Sequence, residues 1–350
     1  MFPTLLEKLT RRESLTVDEA SAAMTEVMEG RATPAQIAGL LMGLAMKGER
    51  PVEIVGLART MRAHAVKLSR TFDDVFDTCG TGGDRSGTLN ISSAAAVVVA
   101  SCGVRVAKHG NRSVSSVCGS ADVFAALGVD VSAHPEVVER CLESAGMAFF
   151  FAPTFHPAMK HAAQARRDLS IRTAFNLLGP LTNPAGARRQ LVGVPRPELT
   201  ELLARSLQML GSDRAWVVHG ADGLDEISTT GYTKVSECRD GRVSTFYVHP
   251  ADFGLPKAPP AALKGGDAAT NAGMVRAVLQ GEGGPLRDVV LLNAAAALFI
   301  AGRVASVRDG LARGGAAIDS GNAIRTLEAL VRSSQPSIGP ERSASQAAGA

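Results

Sequence analysis

The sequence has little of several things. Aromatic residues make up only 4%, too few for the stacking platforms that bind single-stranded nucleic acid. Charge of either sign is nearly absent in net terms: 37 basic against 34 acidic residues leave +3, which points to neither a nucleic-acid nor a membrane partner. No Cys-x-x-Cys pair occurs. Cys79, Cys102, Cys118, Cys141 and Cys238 are scattered and odd in number, which disfavours a zinc site or a disulfide framework and fits thiols kept reduced in the cytoplasm. The 36 glycines and 17 prolines follow no three-residue period, so a fibrous chain is excluded. No apolar run spans a bilayer: Val289 to Ile300 is broken by Asn293 and falls short of the roughly 20 residues required. The opening segment has no apolar stretch after its charges, so no secretory signal is read there.

What remains is ample: 350 residues, 45% hydrophobic, enough for two domains or one large one. The first stretch reads as helices alone. Thr16 with Glu19 forms a capping box, and Thr33-Pro34 with Gln36 repeats the start signal. Ile37, Leu40, Leu41 and Leu44 then share one face, and Pro51 opens another helix. Near Thr71 the pattern changes to short β-branched runs alternating with Ala-rich helical ones. Those runs include Val75-Phe76, Val104 to Val106, Val129 to Val131, Leu191 to Val194, Trp216 to Val218 and Val289 to Leu292. The expectation is an α/β fold: a large domain with a mostly parallel central sheet flanked by helices, plus a small all-helical domain. The expected boundaries are 1–70 for the helical domain, 71–332 for the α/β domain and 333–350 for a disordered tail. A hairpin is expected around Arg239-Asp240-Gly241, between Thr233–Cys238 and Arg242–Val248.

Four segments carry chemistry. In Cys79-Gly80-Thr81-Gly82-Gly83-Asp84 a strand enters a glycine turn, and a helix leaves it through Asn90, Ile91, Ser92 and Ser93. Glycines admit a close ligand, and a helix start offers N–H groups and the positive dipole end to an anion. The plainer reading is a tight turn capped by Asn90 or Ser92, and neither the dinucleotide fingerprint nor the P-loop spacing is matched. The second segment, Lys108 to Ser116 with Ser120 beyond it, follows another strand. Its lysine, hydroxyls and glycines suit a phosphate loop at the same rim. The third, Gly223-Leu224-Asp225-Glu226, sets adjacent carboxylates near a strand end, where Mg²⁺ with substrate phosphate oxygens would be held; Asp84 is placed to share that task. The fourth runs from His156-Pro157 through Arg166 to Gly179-Pro180. It is poor in acids and offers arginine for a carboxylate, or merely a domain contact.

Together these segments resemble the anthranilate phosphoribosyltransferase family, over nearly the whole chain to about Val331. CGTGGD, KHGNRSVSS with GSAD, HPAMK through NLLGPLTNP, and HGADGLDEIS occur in the family's order. The resemblance implies displacement of pyrophosphate from 5-phosphoribosyl-1-pyrophosphate by the amino group of anthranilate, with Mg²⁺, in tryptophan biosynthesis. It implies a cytoplasmic homodimer in which helices within about 156–184 join the small domain. By the same resemblance the sugar diphosphate falls to Gly80, Gly83, Asp84, Thr88, Asn90, Ile91, Ser92, Ser93, Lys108, His109, Gly110, Asn111, Arg112, Ser113, Val114, Ser115, Ser116 and Ser120. The metal falls to Ser92, Asp225 and Glu226, and anthranilate to Gly80, Asn111 and Arg166. No covalent nucleophile is expected; Lys108 and His109 are electrostatic and positional candidates. Leu89, Ser93 and Ser170 stand where Phe, Thr and Gly are common. Two other readings stay open here: a pyrimidine nucleoside phosphorylase, and a non-enzymatic nucleic-acid-binding relative of the same fold.

Overall fold

The computed structural model describes residues 1–113 and 117–336. Four helices come first: α1 (Phe2–Thr10), α2 (Val17–Met28), α3 (Pro34–Lys47) and α4 (Pro51–Ala63). Both capping boxes form. The Glu19 N–H donates to Thr16 Oγ1 at 3.2 Å and the Thr16 N–H to Glu19 Oε2 at 2.9 Å; Thr33 and Gln36 exchange the same pair. These bonds satisfy amides that a helix start leaves without partners.

A sheet then alternates with helices: β1 (Val75–Gly80), α5 (Ile91–Ser101), β2 (Arg105–Gly110), α6 (Ser120–Ala126), α7 (Pro135–Ser144) and β3 (Met147–Phe151). Short helices α8 (Ala152–Phe155), α9 (Ala163–Leu169) and α10 (Ala174–Leu177) precede β4 (Arg189–Gly193), α11 (Glu198–Met209), β5 (Arg214–Gly220), β6 (Thr233–Arg239) and β7 (Arg242–Val248). Four helices end the described residues: α12 (Ala268–Leu279), α13 (Pro285–Ile300), α14 (Val307–Asp319) and α15 (Asn322–Ser334). The spatial order is β3-β2-β1-β4-β5-β6-β7. The first five strands in that order are parallel, and β6 and β7 are antiparallel. The chain therefore runs outward from β1 through β2 to β3, then returns to β1's other side. The crevice between β1 and β4 is the point of reversal at which open α/β sheets bind ligands.

Two cores form, one per sheet face. One joins α5, α13 and their neighbours. The other joins the four N-terminal helices to Ala162, Ala165, Phe175 and Leu181 and to α11, so the segment within 156–184 packs with the helical bundle.

Several expectations are corrected. Val129 to Val131 is a turn, not a strand: Asp130 Oδ1 accepts the Ser132 N–H at 3.0 Å and bends the chain while both valines plug the core. Val289 to Leu292 lies inside α13, whose Val289–Leu298 stretch is buried without a break; a helix covered all round loses the periodicity that would mark it. Ser333 and Ser334 end α15 rather than begin a tail, and Ser334 Oγ accepts the Asp130 N–H at 3.0 Å. The remainder of the expected tail, 337–350, lies outside the described residues. The hairpin turn is two residues, Asp240 (φ 49°) and Gly241 (φ 70°), the left-handed pair that matches strand twist.

Candidate active site

A cavity of about 620 Å³ opens where the parallel strands end, beyond β1, β2 and β4. The glycine turn forms its floor. Gly82 (φ 63°) and Gly83 (φ 87°) are left-handed. Thr81 N–H donates to Gly193 O at 2.9 Å and Gly82 N–H to Asp225 Oδ2 at 3.1 Å. The amides of Gly83 and Asp84 meet no acceptor among the described residues and remain available to a ligand oxygen. Gly193 is required for closeness: a side chain there would collide with Asp225.

The start of α5 corrects one expectation. Its N–H groups do not stand open to a ligand, because Ser92 N–H donates to Glu226 Oε1 at 2.9 Å and Ile91 N–H to Leu89 O at 2.7 Å. The acidic group set at the helix start is the protein's own Glu226. Asn90 does not cap the helix with its side chain. Its Nδ2 donates to Cys118 O at 3.1 Å and its Oδ1 accepts from Asn271 Nδ2 at 2.9 Å, so Asn90 ties the two loops together and Asn271 on α12 holds it in place.

The acidic pair faces the floor. Asp225 stands within hydrogen-bonding reach of Asp84 and is pushed well above the carboxylate range, by burial first and then by repulsion from Asp84 and Glu226. Burial also raises Glu226, to about 7, against the pull of Lys108 and the Ser92 N–H. Asp225 and Glu226, crowded by Asp84 and without a salt-bridge partner among the described residues, are carboxyls of the kind a hard divalent ion takes. Among the described residues no group of three or more His, Cys, Asp or Glu could hold a metal ion. A Mg²⁺ ion that takes one or two carboxylates and fills its octahedron with phosphate oxygens and water fits that pair.

Lys108 is on β2, but its ammonium does not sit open at the rim as expected. It is 1% exposed, and Nζ donates to Thr78 O at 2.6 Å and to Ser92 Oγ at 3.4 Å. Burial pulls its pKa down while Asp77, Glu226 and Asp225 pull it up. Its amine is thus held inside the protein, at the lining of the cavity. Asp77 was not legible as a site residue: it accepts the His109 N–H at 3.2 Å and the Asn183 Nδ2 at 2.8 Å, a buried brace for both loops. His109 Nδ1 donates to Gly179 O at 3.0 Å, which leaves Nε2 as the acceptor, buried and without a partner. Burial lowers His109 to about 3 and its ring neighbour His156 to about 4, so both are neutral at pH 7.

Gly110, Asn111, Arg112, Ser113 and Ser120 follow at the rim. Arg112 is paired with Asp122 at 2.9 Å, whose other oxygen accepts the Ser113 N–H at 3.1 Å. A side chain at Gly110 would collide with Ser120. Thr88 and Ser93 line the cavity too. Val114, Ser115 and Ser116 lie outside the described residues. The opposite wall carries Arg166, half-buried, whose guanidinium meets no acceptor among the described residues; burial alone lowers its pKa. Arg172, which lies in the fourth segment but was given no role of its own from sequence, reaches across to donate to Thr81 O at 3.1 Å.

Comparison with known proteins agrees with this layout. Residues 3–65 match the model of the glycosyl transferase family helical bundle domain, and residues 73–324 that of its a/b domain. An anthranilate phosphoribosyltransferase of Moorella thermoacetica is 54% identical over 95% of this chain and 98% of its own. One from Rhodopseudomonas palustris is 51% identical over 94% and 97%. Among solved structures, the anthranilate phosphoribosyltransferase of Thermus thermophilus superposes with a TM-score of 0.87 at 43% identity, covering 94% of this chain and 98% of that one. The Saccharomyces cerevisiae enzyme in complex with PRPP and Mg has a TM-score of 0.86 at 26% identity, covering 95% and 97%.

Proposed function

The chain belongs to the anthranilate phosphoribosyltransferase family, and from that premise we infer that it transfers the phosphoribosyl group of 5-phosphoribosyl-1-pyrophosphate to the amino group of anthranilate. The products are N-(5-phosphoribosyl)anthranilate and pyrophosphate, the second step of tryptophan synthesis from chorismate. One observation carries the reading for this chain: a single cavity unites open amides at Gly83 and Asp84, the Asp225–Glu226 pair and, on the opposite wall, Arg166, which meets no acceptor among the described residues. Both substrates are anions, and each finds a place suited to it. Relatives at 51–54% identity over nearly the full chain favour this reading over a nucleoside phosphorylase or a nucleic-acid-binding protein.

We assign the sugar diphosphate to Gly80, Gly83, Asp84, Thr88, Asn90 to Ser93, the stretch 108–116 and Ser120. We assign anthranilate to Gly80, Asn111 and Arg166. The anthranilate nitrogen is neutral at pH 7, so its lone pair attacks C1 of the ribose as the C1–O bond to the diphosphate breaks, and the proton it sheds leaves with solvent or pyrophosphate. The Gly83 and Asp84 amides are fixed toward the leaving oxygens before reaction, where such dipoles act most strongly. Lys108 acts electrostatically from the cavity lining. Arg166 holds the carboxylate, which turns encounter into alignment. Mg²⁺, held by Ser92, Asp225 and Glu226, supplies charge neutralisation to the diphosphate when bound. His109 and His156, both neutral, shape the wall rather than relay protons.

We further propose a cytoplasmic homodimer joined through the helical domain. Five buried free cysteines suit a reducing compartment, and no helix among the described residues is long and apolar enough to cross a membrane. Sedimentation tests the pairing. The activity is tested by anthranilate fluorescence. That fluorescence should disappear only when the sugar diphosphate and Mg²⁺ are both present; loss of signal without the sugar, or no loss with both, would reject the assignment.

A further inference from the structure

The longest apolar helix of the chain holds one buried amide that the reaction as described does not use. Asn293 lies in the middle of α13, is 0% exposed and is flanked by Leu292 and Ala294. An unpaired amide there would be costly, and this one is fully engaged. Its Oδ1 accepts the Ile227 N–H at 2.9 Å. Its Nδ2 donates to Ile227 O at 2.9 Å and to Val289 O of its own helix at 2.9 Å.

Ile227 directly follows Glu226. Its side chain is 1% exposed in the sheet core, so the residue is held by both its side chain and its main chain. From that point Glu226 extends back to the Ser92 N–H. The far side of the loop is held by Asp222, which ties it to the residues after Ile227: Asp222 Oδ2 accepts from Ser228 Oγ at 2.7 Å and from Thr230 Oγ1, and Asp222 Oδ1 accepts the Leu224 N–H at 3.2 Å. The acidic pair thus sits on a short arc pinned at both ends, and Asn293 is the pin nearer Glu226.

We infer that Asn293 is a positioning residue for the reaction: by gripping both main-chain groups of Ile227 it sets where Asp225 and Glu226 project into the cavity. The inference deepens the proposed function and rests on its assignment of that pair to Mg²⁺. Asn293 touches neither substrate nor metal. It acts through Ile227, as residues behind a ligand shell orient the ligands in front of them.

The test uses the full chain with Asn293→Ala. Three quantities are measured: the melting temperature without ligand, the calorimetric affinity for 5-phosphoribosyl-1-pyrophosphate at fixed Mg²⁺, and the Mg²⁺ concentration for half-maximal turnover. Loss of such support typically weakens metal affinity roughly 10- to 100-fold, so the half-saturation should rise by about tenfold or more. Calorimetric affinity should fall in parallel, while the KM for anthranilate should change by less than about twofold, since Arg166 is untouched. A lower melting temperature with unchanged Mg²⁺ dependence and unchanged affinity would overturn the inference and leave a purely structural role. Should Asn293→Ala fail to fold, the isosteric Asn293→Asp, which keeps the acceptor and removes the donor, is judged by the same criteria. Glu226→Gln is measured alongside. If it leaves Mg²⁺ dependence unchanged, the metal assignment itself fails; if it moves that dependence and neither Asn293 variant does, only the role of Asn293 fails.

Discussion

The guanidinium of Arg172 occupies the space that a side chain at Gly83 would need. Arg172 comes from the link between α9 and α10, packed with the helical bundle, and Gly83 from the turn after β1. The contact therefore joins the two sides of the cavity. Gly83→Ala both strains a left-handed residue (φ 87°) and displaces Arg172. The strain is about 1–2 kcal/mol, and affinity for the sugar diphosphate should fall by about tenfold or more. Gly82→Ala is the control: its φ is 63°, but nothing lies within 4 Å of the added carbon. Calorimetry of both variants should find the larger loss at Gly83, and equal losses would dismiss the part played by Arg172.

The crowded acids give a pH dependence whose sign can be worked out. Burial raises Glu226 from its ordinary 4.5 to about 7 in the folded chain. The native state then holds a proton that the unfolded chain releases. The stability this contributes is complete below 4.5 and is lost as pH rises through 7. Glu226→Gln should therefore melt at a higher temperature than the parent at about pH 8 without Mg²⁺, with the difference closing as the pH falls toward the ordinary carboxylate range. The same variant, combined with Asp225→Asn, should lose most turnover and its Mg²⁺ dependence. Scanning calorimetry across pH and a Mg²⁺ titration of activity check the two halves.

Arg166 offers a charge-assisted bond that no group of the chain takes up among the described residues. Such bonds contribute about 1.5–3 kcal/mol, so Arg166→Ala should raise the KM for anthranilate roughly 10- to 100-fold and leave that for the sugar diphosphate nearly unchanged. Steady-state kinetics with each substrate varied in turn decides it.

Ser170 is the residue after α9 and is left-handed, with φ 50° and ψ 24°. A side chain there costs energy that glycine does not, which explains why glycine is expected at this position. Ser170→Gly should stabilise the chain by about 1 kcal/mol, read as a higher melting temperature. The gain is reduced by loss of the 2.6 Å bond from Ser170 Oγ to Arg167 O.

Local signals in the sequence were read correctly where local physics decided the outcome. The capping boxes, the glycine turn and the hairpin each need only a few adjacent residues. The strand β3 (MAFFF) escaped because it is aromatic rather than β-branched, and Val289 to Leu292 misled because a fully buried helix and a buried strand look alike over so short a run. The glycine turn, the acidic pair and Arg166 line one cavity. What sequence could not disclose was which partner each group meets. Glu226 takes the Ser92 amide across 134 positions, Arg172 reaches Thr81 across 91, and Asn293 finds Ile227 across 66. Lys108 was legible as a cation but not as a buried one, because its burial depends on the strands on either side.

The most direct measurement is a crystal structure of this protein soaked with 5-phosphoribosyl-1-pyrophosphate and Mg²⁺. The diphosphate should lie against the Gly83 and Asp84 amides, with a metal ion between it and the Asp225–Glu226 pair. Phosphates found elsewhere in the cavity, with that turn and that pair both unengaged, would contradict the account.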